Sequence, residues 1–341
     1  MIPNHVCRLR SGVAAFLLAA LLACAGCTQP SNESGPADFS ERKMRVVATT
    51  NIIGDLVRQV AGDRVALTTL MGPGVDPHLY KASEGDVQRM AAADVVLYNG
   101  LDLEGKMTEV FAQMERRGTT TVALAEEAVP ESLRIGSEAY VGNYDPHVWF
   151  DVELWTRVAR HVGAVLAAKD TARAAAYRTD AAVYAQRLDS LDQYVTAQVA
   201  RLDSTRRVLI TSHDAFSYFG RAYGFTVRGL QGISTASEAG AADVQALAQF
   251  VADRQIPAIF VETSVSPRGI QAVCEATAAK GFQVEVGGTL YGDALGDRGT
   301  PTGTYLGAVR HNIDTIVQGL LTPPGAEATA TASQETITAN P

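Results

Sequence analysis

Residues 171–203 read TARAAAYRTDAAVYAQRLDSLDQYVTAQVARLD, a stretch without glycine or proline near the middle of the chain. Its apolar residues recur at steps of three and four, which is the period of a helix that buries one stripe. At ~1.5 Å per residue such a helix is roughly 45–50 Å long, enough to cross two neighbouring lobes. We therefore predict one long, rigid linking helix over 168–204. The predicted buried stripe consists of Tyr177, Ala181, Tyr184, Leu188, Leu191, Val195, Val199 and Leu202.

Short β-branched segments alternate with longer amphipathic segments on both sides of this helix. Such alternation is typical of parallel sheets covered by helices. We therefore predict an α/β fold with two similar lobes, at 44–167 and 205–322, each a mainly parallel four-stranded sheet flanked by helices. Thr235-Ala236-Ser237-Glu238 has the pattern of a capping box, which predicts a helix over 238–253. The predicted strands are 44–50, 64–70, 94–99, 120–124, 207–211, 225–228, 258–262 and 282–286.

The N-terminus has the features of an export signal. Two arginines precede an unbroken apolar run over 13–23, which is too short to span a bilayer but suits the core of a signal peptide. Cys27 follows two small residues, so we predict a lipoprotein signal peptide at 1–27 with lipid attached to Cys27. Cys24 is the alternative lipidation site, and ordinary secretion with cleavage at small residues is a further alternative.

Composition separates a folded body from its flanks. Residues 28–43 and 323–341 are rich in small and polar residues and show no apolar periodicity, so we predict a flexible tether and a disordered tail. The formal net charge of −8 argues against nucleic acid as a partner. Outside the signal, Cys274 is the only cysteine, so the sequence offers no structural disulfide.

Three of the chain's six histidines lie in loops that follow strand-like segments or at the end of one, with His147 in the long loop after the predicted strand 120–124. Asp-Pro-His occurs twice, ending at His78 and His147, and a third histidine, His213, follows the predicted strand 207–211. An acidic turn containing Asp293 follows the last predicted strand. In open parallel sheets, ligands bind beyond the carboxyl ends of the strands. Three imidazoles and one carboxylate are suitable ligands for a divalent transition metal. We therefore predict a four-ligand metal site between the lobes.

Neighbouring carboxylates have predicted supporting roles. The proline before each of the first two histidines restricts the backbone and stiffens the loop. Asp76, Asp145 or Asp151 can accept the second ring N–H of a ligand and fix its tautomer, and the sequence leaves this choice open. Glu262 ends a predicted strand, where it either lines the cleft or serves as a helix-capping or solvated carboxylate. The two histidines inside helical segments are predicted to be surface or packing residues.

Four motifs around the predicted ligands occur together. They are GPGVDPH at 72–78, DPHVWFD at 145–151, TSHDAF at 211–216 and LYGDALG at 290–296. In this combination the body of the chain resembles the metal receptors of bacterial ABC importers, and is most similar to the TroA-like zinc/manganese group. The resemblance implies two lobes bridged by a long helix, four ligands at their interface and no catalysis. By motif position, it carries the ligand roles over to His78, His147, His213 and Asp293.

The function implied by the resemblance is capture of Zn²⁺ or Mn²⁺ outside the cytoplasm and delivery to an ABC permease, whose ATPase powers import. The expected protein is a monomer anchored to the cell membrane by its N-terminal lipid. Two features favour different ions. Manganese-selective members often carry Glu where this chain has His213, whereas zinc-specialised members often carry a histidine-rich loop that is missing from 131–144.

Two other functions are alternatives at this stage. A zinc-dependent hydrolase needs an open coordination position and a general base. The chain has no His-Glu-x-x-His motif, and four protein ligands would close the site to catalysis. A surface adhesin lipoprotein with a structural metal site is the other alternative, although no adhesive patch can be recognised in the sequence.

Overall fold

The computed structural model describes residues 39–137 and 140–322 of the chain. The predicted lipidation site Cys27 and its signal peptide, most of the predicted tether at 28–43 and the predicted tail at 323–341 lie outside the described residues. Among the described residues, no helix is both long enough and apolar enough to cross a membrane.

Strands and helices alternate along the described chain, as the sequence predicts. The strands are β1 Met44–Ala48, β2 Val65–Thr69, β3 Val95–Tyr98, β4 Thr120–Ala123, β5 Gly136–Ser137, β6 Tyr140–Tyr144, β7 Val208–His213, β8 Thr226–Gln231, β9 Ala258–Glu262 and β10 Glu285–Leu290. The helices are α1 Asn51–Ala61, α2 Glu84–Ala91, α3 Thr108–Arg116, α4 Leu124–Ala128, α5 Val152–Lys169, α6 Ala174–Val199, α7 Ser217–Tyr223, α8 Ala241–Arg254, α9 Arg268–Ala278 and α10 Tyr305–Leu321.

The first half of the chain forms one parallel sheet with the strand order β2-β1-β3-β4. Val46 of β1 lies opposite Leu67 of β2 on one side and Val95 of β3 on the other. Val46 and Val95 are almost fully buried, because helices cover the sheet. Strands buried on both faces read as continuous apolar runs, which is why β1 and β3 are recognisable in the sequence. The predicted α/β architecture is confirmed.

The second half contains two parallel strand pairs, β7 with β8 and β9 with β10. Strands β7 and β9 lie next to each other, so the spatial order is β8-β7-β9-β10. Strand β10 begins at Glu285 and ends at Leu290, later than the predicted 282–286. Gly288 has a φ of 139°, and the pairing register shifts just before it. The glycine therefore forms a bulge within the strand, rather than ending it.

The linking helix α6 spans 26 residues, about 39 Å at the usual rise per residue. It begins at Ala174, because the Asp170 side chain accepts the backbone N–H of Arg173 and the intervening residues form a 3₁₀ turn. All eight residues of the predicted stripe are buried. The helix packs along α5 and also contacts α1 of the first half and α10 of the second. It therefore joins the halves through side-chain packing along its length.

The predicted capping box at 235–238 is wrong. Helix α8 begins at Ala241, where Asp243 Oδ2 accepts the backbone N–H of Gly240 at 2.8 Å. The Thr235 hydroxyl instead donates to Asp76 Oδ2 at 2.6 Å. A hydrogen bond to a charged carboxylate is stronger than a neutral cap, so this distant partner determines the position of Thr235.

Candidate metal centre

The four predicted ligands converge between the two halves of the described chain. His78 lies in the loop after β2, His147 in the loop after β6, His213 at the end of β7 and Asp293 in the loop after β10. His78 is 5% exposed and the other three are at most 1% exposed. One donor atom from each residue lies within 4.8 Å of every other. The structure therefore brings all four ligands together at the edge of the sheets where the parallel strands end.

The donor atoms are close enough together to surround one ion. His147 Nε2 lies 3.3 Å from His78 Nε2 and 3.4 Å from His213 Nε2. Asp293 Oδ1 lies 3.4 Å from His147 Nε2, and Asp293 Oδ2 lies 3.3 Å from His213 Nε2 and 3.9 Å from His78 Nε2. Four ligands bound at ~2.0–2.1 Å from one central ion in a tetrahedron are ~3.3–3.4 Å apart. The spacings of His147 Nε2 from the other two Nε2 atoms match this geometry, whereas His78 and Asp293 must move closer together for one ion to bind all four ligands.

The two Asp-Pro-His motifs share one hydrogen bond to the backbone, but their aspartates differ in whether they contact the histidine ring. In both, Oδ1 of the aspartate accepts the backbone N–H of the histidine two residues later, at 2.9 Å. Asp145 Oδ1 also lies 2.7 Å from His147 Nδ1, which places the ring proton on Nδ1 and leaves the Nε2 lone pair for the cluster. Asp76 directs its other oxygen to Thr235 instead. Of the three carboxylates left open by the sequence, Asp145 thus holds a ligand ring, whereas Asp151 caps α5.

Glu262 faces the same two groups of His213 that Asp145 faces on His147, but its contact with Nδ1 is an ion-pair contact without hydrogen-bond geometry. Its carboxylate is 3% exposed, and Oε1 accepts the backbone N–H of His213 at 2.9 Å. Oε2 lies 3.0 Å from His213 Nδ1. A Cβ atom at Gly292 would lie 2.2 Å from Glu262 Oε2, so the residue beside Asp293 must be a glycine for this carboxylate to fit. Of the environments that the sequence allows for Glu262, the cleft is the one observed.

The loop that carries Asp293 is held on both sides by asparagine side chains. Asn312 of α10 accepts the backbone N–H of Tyr291 at 2.9 Å and donates to its carbonyl at 2.8 Å. Asn51, the first residue of α1, pairs in the same way with the backbone of Leu295, at 2.9 and 3.0 Å. Sequence reasoning missed Asn51, because its partner is 244 residues away and its one local signal is its place after β1. These two pairs fix the position of Asp293.

Burial and charge act in opposite directions on the protonation of the cluster. Burial lowers the pKa of His78 to about 3, so this ring is neutral. Burial also opposes protonation of His147, but the carboxylates of Asp145 and Asp293 outweigh it and raise its pKa to about 9. The pKa of His213 is likewise raised against the effect of burial, chiefly by Glu262. The pKa of Asp293 is held well below its usual value despite burial, because these imidazoles are close.

The donor chemistry of the cluster fits a divalent cation. Both oxygens of Asp293 are buried and make no hydrogen bond to the described residues. A buried carboxylate needs a compensating positive charge. Protons on His147 and His213 supply that charge in the bare cluster, and a divalent ion can supply it in their place. Because ligand imidazoles must be neutral, binding of the ion releases those protons.

The two remaining histidines of the described chain lie outside the cluster. His161 Nε2 lies 3.1 Å from Glu127 Oε2, and the His161 side chain is 26% exposed. His311 is exposed, and its Nε2 lies 2.9 Å from the carbonyl oxygen of Thr289. Both therefore have the surface environment that their helical positions predict.

Comparison with known proteins gives consistent matches over the folded body. The family model described as "Zinc-uptake complex component A periplasmic" matches residues 46–319. The zinc-binding protein TroA of Treponema pallidum (strain Nichols) is 48% identical over 281 residues, covering 82% of this chain and 90% of the relative. The manganese-binding lipoprotein MntA of Bacillus subtilis (strain 168) is 44% identical over 314 residues, covering 92% of this chain and 100% of the relative.

The fold agrees with a solved structure of the same kind. The periplasmic zinc-binding protein TroA from Treponema pallidum superposes with a TM-score of 0.79 at 49% sequence identity, covering 82% of this chain and 99% of that one. The family match covers the part of the chain that supplies the four clustered residues. The chain therefore belongs to the family of periplasmic zinc-uptake complex component A proteins.

Proposed function

We propose that this protein is an extracytoplasmic receptor that binds one divalent transition metal ion, Zn²⁺ or Mn²⁺, and delivers it to an ABC permease for import. Its ligands are His78, His147, His213 and Asp293. The observation that carries the proposal is the convergence of these four buried groups, whose donor atoms all lie within 4.8 Å of one another. The ion is the transported cargo, so the protein needs no reacting group, and the hydrolase alternative does not fit a family of solute receptors.

The ion sits between two lobes, which we assign to 44–167 and 205–322, with 168–204 as the link. Each lobe contributes two ligands. The ligand set suits both candidate ions in different ways. Imidazole ligands and the general order of affinities favour Zn²⁺ over Mn²⁺. The carboxylate of Asp293 has two oxygens free of hydrogen bonds to the described residues, and binding through both raises the coordination number, as Mn²⁺ prefers.

The partners follow from the task of an uptake-complex component. The receptor delivers its ion to a membrane permease whose ATPase powers import, and we propose that it acts as a monomer. Attachment of lipid to Cys27 keeps it at the membrane, a proposal supported by the lipoprotein name of the Bacillus relative. A Cys27→Ser variant should be released into the soluble extracytoplasmic fraction, whereas Cys24→Ser should stay in the membrane fraction. The opposite result would assign the lipid to Cys24.

The central experiment is metal content per chain. The protein is stripped with chelator, equilibrated separately with Zn²⁺ and Mn²⁺, desalted and measured by elemental analysis. We expect one ion per chain in the wild type and none in a His78→Ala/His213→Ala variant. A His161→Ala/His311→Ala variant is the matched control, because it removes the same number of imidazoles from outside the cluster, and it should keep the ion. Loss of metal in both variants, or in neither, contradicts the ligand assignment.

A further inference from the structure

The loop that carries Asp293 belongs to the second half of the chain, but hydrogen bonds on both sides of this ligand run to the first half. Before Asp293, Trp149 Nε1 donates to the carbonyl oxygen of Gly292 at 3.2 Å. After it, Asn51 Oδ1 accepts the backbone N–H of Leu295 at 2.9 Å, and Asn51 Nδ2 donates to the Leu295 carbonyl at 3.0 Å. Three hydrogen bonds therefore connect the first half to the backbone that flanks the fourth ligand.

These contacts are buried. Asn51, Trp149 and Leu295 are each at most 9% exposed. A buried backbone group that loses its partner costs free energy, because water cannot easily replace the lost hydrogen bond. Asn51 both accepts from and donates to one residue, so movement of the loop away from it breaks two hydrogen bonds at once. We call Asn51 and Trp149 the clasp of the Asp293 loop.

The clasp is itself held in place. Asp55 lies one helical turn after Asn51 in α1 and accepts the backbone N–H of Tyr305 at 2.9 Å. Tyr305 Oη donates to the backbone carbonyl of Trp149 at 2.6 Å. Both α1 and Trp149 are therefore attached to the first turn of α10, the helix whose Asn312 holds the beginning of the same loop. The clasp is thus a firm support for the loop.

The position of the Asp293 carboxylate depends on the backbone of its loop. Both carboxylate oxygens lack a hydrogen bond to the described residues, so no polar partner orients this side chain directly. Trp149 lies two residues after His147, and the two rings are 5.2 Å apart. The clasp therefore joins the backbone around Asp293 to the motif that supplies one of the histidine ligands, and Asp293 Oδ1 lies 3.4 Å from His147 Nε2.

We propose that Asn51 and Trp149 are positioning residues that determine how well the site retains Mn²⁺ relative to Zn²⁺, because they place the one oxygen ligand against the three imidazoles. The inference rests on the proposed receptor function and deepens it. Imidazole ligands suit Zn²⁺, whereas carboxylate oxygen suits Mn²⁺. Two of the imidazoles have separate supports in Asp145 and Glu262. A loosened loop therefore leaves these zinc ligands in place and weakens the ligand on which Mn²⁺ depends most.

Removal of the clasp should change the ratio of the two affinities. Asn51→Ala removes both hydrogen bonds to Leu295. Mn²⁺ should then bind roughly 10- to 100-fold more weakly, as is typical when a residue that orients a metal ligand is lost. The loss for Zn²⁺ should be smaller by at least about fivefold, because the imidazoles remain. Trp149→Phe keeps an aromatic ring beside His147 but removes the donor to Gly292, so it should shift the ratio in the same direction.

Thr50→Ala is the control for a general loss of stability. Thr50 caps the same helix, α1, where its hydroxyl accepts the backbone N–H of Ile53 at 3.3 Å. Loss of this cap should lower the midpoint of thermal unfolding. It leaves the hydrogen-bonding groups of the clasp intact, so the ratio of the Mn²⁺ and Zn²⁺ affinities should stay at the wild-type value.

Competition with a chromophoric chelator at fixed pH gives both Kd values for the wild type and each variant. Equal losses for the two ions in the clasp variants overturn the proposal, and so does the absence of any loss. The same shift of the ratio in Thr50→Ala also overturns it. If Asn51→Ala does not fold, Trp149→Phe decides between these outcomes. A wild type that binds neither ion is a different result, because it refutes the receptor function itself.

Discussion

Replacing Glu262 with glutamine should weaken metal binding more than the similar shapes of the two side chains suggest. The two carboxylate oxygens of Glu262 face two different groups of His213: Oε1 accepts the backbone N–H, and Oε2 lies 3.0 Å from Nδ1. An amide has only one oxygen. If that oxygen faces the backbone N–H, the NH₂ group faces Nδ1 and favours the tautomer with its proton on Nε2, the atom that must bind the metal. If the amide is flipped, two donors face each other.

The expected magnitude follows from this conflict. A buried donor without an acceptor costs about 1–3 kcal/mol. Because ~1.4 kcal/mol corresponds to a tenfold change in an equilibrium constant, Glu262→Gln should weaken metal binding by roughly 10- to 100-fold. The loss falls on the metal-bound state, which requires the Nε2 lone pair, while the metal-free protein can adopt the other tautomer.

Asp145→Asn is the matched control. It removes one buried carboxylate charge beside a ligand ring, as Glu262→Gln does. Asp145 Oδ1 alone contacts both the backbone N–H and Nδ1 of His147, whereas Oδ2 has no hydrogen-bond partner in the described chain. One amide oxygen can therefore keep both contacts and the correct tautomer. Competition with a chromophoric chelator at fixed pH compares the Zn²⁺ affinities, and circular dichroism checks the fold. Equal losses in the two variants, or a larger loss in Asp145→Asn, would refute the tautomer argument.

Three further predictions concern the charge of the site. Apparent Zn²⁺ affinity should fall by about tenfold per pH unit and per competing proton as pH is lowered below 9. The reason is that the pKa of His147 is raised to about 9 and a bound proton excludes the metal. Calorimetric titrations that give the same affinity between pH 7.5 and 5 would contradict this. Asp293→Ala should abolish tight binding but keep a native circular dichroism spectrum, because Asn51 and Asn312 hold the backbone of its loop without using the carboxylate. Zinc at 100 times its Kd should stabilise the fold by about 2.7 kcal/mol in thermal unfolding. The His78→Ala/His213→Ala variant should show no such stabilisation.

The features that the sequence predicts correctly are those with a local signature. The stripe of α6 follows a helical period, so each residue from Tyr177 to Leu202 carries part of the signal. The clustered histidines could be found because each follows a strand-like run, and the carboxyl ends of parallel strands lie at one edge of a sheet. In each case, the determining contacts lie within a few residues or follow from the topology.

The features that the sequence leaves open depend on contacts between distant residues. Asp76 and Asp145 occur in identical tripeptides, yet of these two only Asp145 holds a ligand ring. The second carboxylate oxygen of Asp76 instead accepts a hydrogen bond from the Thr235 hydroxyl, which lies in the second half of the chain. The same contact explains why the predicted capping box is wrong: the Thr235 hydroxyl donates to a distant carboxylate, whereas a cap would have to accept a nearby backbone N–H. Asn51 shows no motif at all, since its two partners are backbone atoms beyond β10. Local patterns therefore identify the ligands, whereas tertiary contacts determine which side chains orient them.

The same orienting contacts bear on the choice between zinc and manganese. His147 and His213 are each fixed at the backbone N–H and near Nδ1, so their Nε2 atoms, 3.4 Å apart, have little freedom to separate. That spacing suits a four-coordinate ion with bonds of ~2.0–2.1 Å, the geometry of zinc. An ion that prefers more ligands must obtain them from the second oxygen of Asp293 or from water. The histidines consequently set a zinc-like geometry, and the Asp293 loop, held by Asn51 and Asn312, determines how far the site can adapt to manganese.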